Sequence, residues 1–235
     1  MIRRALFILI ALSIGVAPAT AATNAAVCSS PGVTETIVYT WKLRGGLAWL
    51  AGLAFPTSGT AELTTTDRAE VPRIDTELMI SGTGDSTDYY RYESEIDEKD
   101  LRTMMSLTGY AWGRKHREEL TRIDYGDKEA TTIKRSYKTD EARVETDRIS
   151  GKALRDVLTG IYYLRANADS IQDPIPAEIY SDGDLYPVLY KPLGKRMRRL
   201  GGKAVETAGF EISARPNDEK KWPGGVEVWF TTDGH

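Results

Sequence analysis

Between residues 33 and 44 the side chains alternate: Val33, Ile37, Tyr39, Trp41 and Leu43 fall on one side, Thr34, Thr36, Thr40, Lys42 and Arg44 on the other. A period of two predicts a half-buried strand, because successive strand residues point to opposite faces. The pattern returns over residues 60–66, 74–80 and 90–96 and in the charged stretch 115–125. Turn residues separate the runs: Ser58-Gly59, Ser81-Gly82-Thr83-Gly84 and Gly126-Asp127. Many short alternating strands with turns between them predict an antiparallel sheet with one packed and one wet face.

One stretch has a different period. Leu154, Val157, Leu158, Ile161 and Leu164 recur at helical spacing, with Lys152, Arg155 and Asp156 on the other face. Ser150 is the expected N-cap, and the helix should end near Arg165, ahead of Asp173-Pro174. Strands then resume at 175–181, turn at Asp182-Gly183 and return over 184–193, where Asp-Gly is a hairpin signal. A further pair, 203–206 with 210–214, follows Gly201-Gly202. The last strand, 225–232, sets Val226, Val228 and Phe230 against Glu227, Trp229 and Thr231.

The N-terminus adds an address. Arg3 and Arg4 precede an apolar run over residues 5–16 and small residues ending Ala19-Thr20-Ala21, the layout of a secretory signal peptide whose core is too short to span a bilayer. Residues 1–21 are therefore expected to be the leader, 22–32 a flexible stub, and 33–235 a single β-rich domain in the periplasm or outer envelope. Cys28, the only cysteine, excludes an intramolecular disulfide. It lacks the preceding leucine of a lipidation signal and lies about a dozen residues beyond the apolar run, so a plain thiol is the simpler reading. With 31 basic and 34 acidic residues the formal charge is −3, and losing Arg3 and Arg4 makes it about −5. Together with export, that balance argues against nucleic acid as a partner. The closing Thr232-Asp233-Gly234-His235 reads like a turn that launches another strand, so one or more further strands are expected after it.

Three groups of residues resemble a known family: Leu158-Thr159-Gly160-Ile161-Tyr162-Tyr163-Leu164-Arg165, then 175–180 with Ser181-Asp182-Gly183-Asp184-Leu185-Tyr186, and last Val228-Trp229-Phe230-Thr231-Thr232-Asp233-Gly234. A "YYLR" helix, a strand, a "DG" hairpin and a late "W-x-T-x-D" segment resemble the bacterial domain-of-unknown-function family numbered 3108, over roughly residues 34–235. The resemblance implies a mainly β fold: a strongly curved antiparallel sheet (half-barrel) with one packed α-helix, similar to lipoprotein-carrier (LolA/LolB-like) folds. It implies exported envelope proteins and carries over no catalytic residue. The chain departs from the pattern in an apolar insertion at 47–55 and in lacking strand sequence after Gly234.

That insertion, Leu47-Ala48-Trp49-Leu50-Ala51-Gly52-Leu53-Ala54-Phe55, sits where a hairpin loop is ordinarily polar. An uncharged loop of this length fits a membrane-touching lip or a cover over an apolar groove, and equally a segment folded back into the core. Lys191, Lys195, Arg196, Arg198, Arg199 and Lys203 form a basic cluster that suits lipid or glycan phosphates, or else a solvated turn guarding a sheet edge. Tyr89, Tyr90, Tyr92, Tyr162, Tyr163, Tyr180, Tyr186 and Tyr190 offer apolar area with one polar tip, useful in a ligand cavity and ordinary in a sheet.

Catalytic material is thin. His116 and His235 are the only histidines, and no phosphate loop, dinucleotide fingerprint or zinc spacing appears, so neither a cofactor nor a metal is expected. His116 with Glu118, and Glu93 with Glu95, share strand faces, and such carboxylate pairs could in principle serve glycoside hydrolysis. The leading expectation is a non-catalytic envelope binding protein for a lipid-like or amphiphilic ligand. Trp49, Leu50, Phe55, Tyr162 and Tyr186 are its expected ligand contacts, and Arg196, Arg198 and Arg199 its anion contacts. A membrane surface or another envelope protein is the further expected partner. The rivals are a glycan-active enzyme and a structural envelope-assembly module.

Overall fold

The computed structural model describes residues 34–42, 58–68, 71–82, 88–112, 115–136, 139–150, 153–181, 184–200, 202–214 and 226–231. Residues 1–32, with the expected leader, stub and Cys28, lie outside them, as do Trp49, Leu50 and Phe55. Eight strands come first: β1 (Thr34–Lys42), β2 (Ser58–Arg68), β3 (Arg73–Gly82), β4 (Tyr89–Asp97), β5 (Arg102–Trp112), β6 (Lys115–Asp124), β7 (Glu129–Ser136) and β8 (Thr139–Arg148). The helix α1 (Val157–Ala166) follows, then β9 (Ile175–Ser181), β10 (Asp184–Leu200), β11 (Lys203–Ala214) and β12 (Val226–Thr231). The fold is mainly β, a strongly curved antiparallel half-barrel with one packed helix.

Its ladder is interrupted once. Strands β1 to β8 form an eight-stranded meander in sequence order, and β12-β11-β10-β9 form a second sheet of four. The residues just before the helix splice the two sheets together: the Thr103 amide of β5 donates to the Leu154 carbonyl, and the Tyr180 amide of β9 donates to that of Arg155. This corrects the expected helix start. The neighbouring strands claim the Leu154 and Arg155 carbonyls, so those residues stay extended and the helix begins only after Asp156, whose φ is −81° and ψ −173°. Ser150 is exposed and caps nothing in the helix; Asp156 is the N-cap, its carboxylate accepting the Thr159 amide at 2.8 Å.

Strand boundaries shift in the same way. The segments expected at 203–206 and 210–214 are one strand, β11, and β10 runs past residue 193 to Leu200, carrying the basic cluster along a strand instead of a turn. Strands β5, β7 and β8 had no sequence expectation at all.

Two apolar clusters hold the layers. Leu164, Ile171, Ile179, Val188, Tyr190, Phe210 and Ile212 pack between the helix and the four-stranded sheet, with Val157 and Ile161 against them. Ile123, Ala130, Ile149, Leu154 and Tyr180 close one end of the eight-stranded sheet. Gly160 is required where α1 crosses β10: an added Cβ would lie 2.7 Å from the Tyr190 hydroxyl. The opposite side of α1 meets the eight-stranded sheet. Arg165 near its C-terminus pairs with Glu35 of β1 at 2.7 Å, and Asp156 at its N-terminus accepts from Ser94 of β4 at 2.5 Å.

Candidate functional site

Cross-strand partners in an antiparallel sheet share a face, so the register defines what the helix looks down upon. One row runs across all eight strands: Glu35, Thr65, Thr76, Ser94, Ser106, Thr121, Thr132 and Glu145. Six consecutive hydroxyl side chains thus lie between two carboxylates, and five of the six are buried. Three of these hydroxyls bond to one another or to the helix, Thr121 to Thr132 at 3.0 Å and Ser94 to Asp156, whereas Thr76 Oγ1 is buried with no partner; beside the row, Thr103 of β5 bonds to Thr159 of the helix at 2.8 Å. The Asp156 amide closes the network on Thr103 Oγ1 at 2.9 Å.

Two and four residues further along the strands the same face changes character from one side to the other. On β2 to β5 it presents Leu63, Leu78, Ile80, Tyr90, Tyr92 and Tyr110, each half-buried. On β6 and β7 it presents Arg117, Glu119 and Lys134, with Arg117 on Glu119 at 2.7 Å and Lys134 on Glu145 at 2.9 Å. The Tyr90 and Tyr110 rings lie 6.0 Å apart, and burial pushes the Tyr92 phenol up to about 12. An apolar wall, a hydroxyl row and a charged margin therefore share one face.

Where the helix N-terminus meets this face there is a cavity of about 30 Å³, lined by Tyr92, Ser94, Ser106, Thr121, Asp156 and Tyr180 among others. That is room for a water or two and no more. Burial pushes the Asp156 carboxyl up, against the downward pull of its bonds to Ser94 and Thr159.

The candidate residues fall in different places. Tyr162 is half-buried and shares a helix face with Leu158 and Arg165, which reach the eight-stranded sheet at the cavity and at Glu35. Tyr186 packs on the other side, at the edge of the cluster between α1 and the four-stranded sheet. These two tyrosines do not come together at one site.

Arg196 and Arg198 stack on the Trp229 ring, at 5.1 and 3.9 Å from its centroid, while Arg199 is exposed. Trp229 in turn lies flat on its cross-strand partner Gly209, where any Cβ would meet the ring at 2.5 Å.

Glu93 and Glu95 point away from the helix. Glu93 borders the cavity as the residue between Tyr92 and Ser94, but its side chain lies on the opposite face, paired with Arg91, while Glu95 pairs with Arg73 at 3.1 Å. Glu77 and Glu93 are cross-strand partners that share Arg91, so these carboxylates form an ion-pair lattice on the wet face. His116 and Glu118 are exposed on that same face. No group of three His, Cys, Asp or Glu side chains able to hold a metal occurs among the described residues.

The sequence reading missed Asp156 as the cap and missed the hydroxyl row. The signals were present: Asp156-x-x-Thr159 ahead of an apolar run, and the threonine triplet at 64–66 and doublet at 131–132.

Fold and site together define a class: a curved β-protein whose helix, the only one among the described residues, lies across a face graded from apolar to charged. The chain belongs to the family described as Protein of unknown function (DUF3108), whose model matches residues 38–235. No curated protein and no solved structure matches it.

Proposed function

We propose that this is an exported, non-catalytic binding protein of the bacterial envelope that holds an amphiphilic, lipid-like ligand on the helix-facing side of its eight-stranded sheet. The observation that carries the reading is the graded face. Leu63, Leu78, Ile80, Tyr90 and Tyr110 offer an apolar wall to a hydrocarbon chain, while the hydroxyl row and the Arg117, Glu119 and Lys134 margin offer hydrogen bonds and charge to its head. Burying the chain contributes about 0.8 kcal/mol per methylene. The cavity at Asp156 is too small for this ligand, so the wall beside it is the proposed seat. Export is supported by Arg3 and Arg4, the apolar run and the small residues after it.

Titration with a fluorescent polyunsaturated fatty acid tests the reading. Saturable binding is expected, weakened about tenfold or more by Leu78→Glu and untouched by Leu107→Glu, which places the same charge on the opposite face. Equal effects of the two substitutions, in proteins of unchanged thermal midpoint, would remove the proposed seat. A purely structural module is the second reading, favoured by the small volume at Asp156. Absence of any fatty-acid uptake selects it.

A further inference from the structure

The β10–β11 hairpin projects beyond its own sheet. Pairing of β9 to β10 spans Asp184 to Tyr190, and pairing of β12 to β11 spans Thr207 to Ile212, whereas β10 and β11 continue together past both, from Met197↔Glu206 to Leu200↔Lys203. Among the described residues this tip has no third strand. Gly202, with φ of 81°, takes part in the turn that closes it.

The composition of the arm is one-sided. From Lys195 to Lys203 it carries five cations and no anion, in a chain of net charge −3. Lys195 is held by Asp169 and Glu206 at 3.2 and 3.7 Å, but Arg196, Arg198, Arg199 and Lys203 have no ion pair among the described residues. Arg196 and Arg198 are braced on Trp229, so their guanidinium groups are placed in advance. On the other face of the strand Met197 stands 65% exposed, one of three large apolar side chains so placed among the described residues. A solvated edge guard accounts for the charges but leaves an exposed methionine among them without a role.

We propose that the tip of this arm enters an anionic phospholipid bilayer end-on, its unpaired cations meeting headgroup phosphates on both faces of the hairpin and Met197 reaching the interface. Charge complementarity selects this partner: uncompensated cations on a projecting two-stranded tip can approach a flat surface together. The inference does not depend on the amphiphile seat, since the tip extends past the last residues of both apolar clusters.

Co-sedimentation with vesicles of phosphatidylglycerol mixed into phosphatidylcholine, and of phosphatidylcholine alone, tests it with the full chain. Binding is expected to the mixed vesicles only and to fall as salt is raised, because exposed charges are screened. Arg199→Ser with Lys203→Ser, two exposed positions, should weaken it about 25-fold, taking about five-fold for each cation. The double variant should keep its thermal midpoint and its fatty-acid affinity, while Leu78→Glu should still sediment. Equal binding to the two vesicle types, no binding to either, unchanged binding by the double variant, or a preference for a single-stranded oligonucleotide would each overturn the proposal.

Discussion

Arg165 and Glu35, 130 residues apart in the chain, meet as a buried two-point pair, with Nη1 on Oε2 at 2.7 Å and Nη2 on Oε1 at 3.3 Å. The pair ties the end of α1 to the first strand, and the side chains are only 16% and 6% exposed. Removing one partner strands the other charge in a site that water barely reaches. Glu35→Ala should therefore cost about 3 kcal/mol in urea unfolding, whereas Glu35→Met combined with Arg165→Met should cost far less. Equal losses in the single and double variants would mean that the pair does not act as a unit.

Gly160 and the Tyr190 hydroxyl make a second coupled pair. Alanine is the better helix former by about 1 kcal/mol, yet Gly160→Ala should destabilise, because its Cβ would sit 2.7 Å from that oxygen. The Tyr190 hydroxyl is buried with no hydrogen-bond partner, so Tyr190→Phe should be neutral or stabilising by about 1 kcal/mol and should rescue Gly160→Ala. A double-mutant cycle of denaturation midpoints measures the coupling, and additive effects would contradict the packing described.

Asp156 sets a pH dependence. Burial raises its folded-state pKa above the ordinary 3.8, so the folded protein holds this proton more tightly than the unfolded chain does. The stability linked to this proton is fully present below 3.8 and is lost as pH rises through the folded value. Asp156→Asn keeps an acceptor for the Thr159 amide and a group for Ser94 but cannot ionise. The stability of the wild type minus that of the variant should therefore decline as pH rises across the acidic range. A difference that grows with pH instead would reverse the assignment.

What the sequence disclosed follows from where its polarity agrees with burial. Strands β3 and β4 were legible because Ile74 and Ile96 face inward while Arg73, Glu77, Glu93 and Glu95 face water. Strands β5 and β7 were hidden because their polarity is inverted: Ser106, Thr108 and Thr132 face inward and Leu107 and Ile133 outward. Strand β8 offers no apolar rhythm, since its described side chains are nearly all exposed. The helix was found by its period, but its start was set by strand carbonyl partners more than 20 residues away, which no local pattern encodes. Strands β9 and β10 pair antiparallel as read, with Ser181 opposite Asp184. Of the candidate contacts, Arg196 and Arg198 were legible as a charged run, while their seat on Trp229 depended on a glycine in a third strand.

Gly209 is thus a packing position, and Gly209→Ala should dislodge Trp229. A red-shifted tryptophan emission and a lower thermal midpoint are expected, since an added Cβ meets the ring at 2.5 Å. Unchanged emission would show that the ring can lie elsewhere at no cost.

The central claim, an amphiphile held on the graded face, is tested most directly by native mass spectrometry of the chain purified from an envelope fraction without detergent. A bound species of lipid mass is predicted, released on collisional activation and depleted in Leu78→Glu but retained in Leu107→Glu. A ligand-free mass in all three proteins, with no uptake of added lipid, would contradict it.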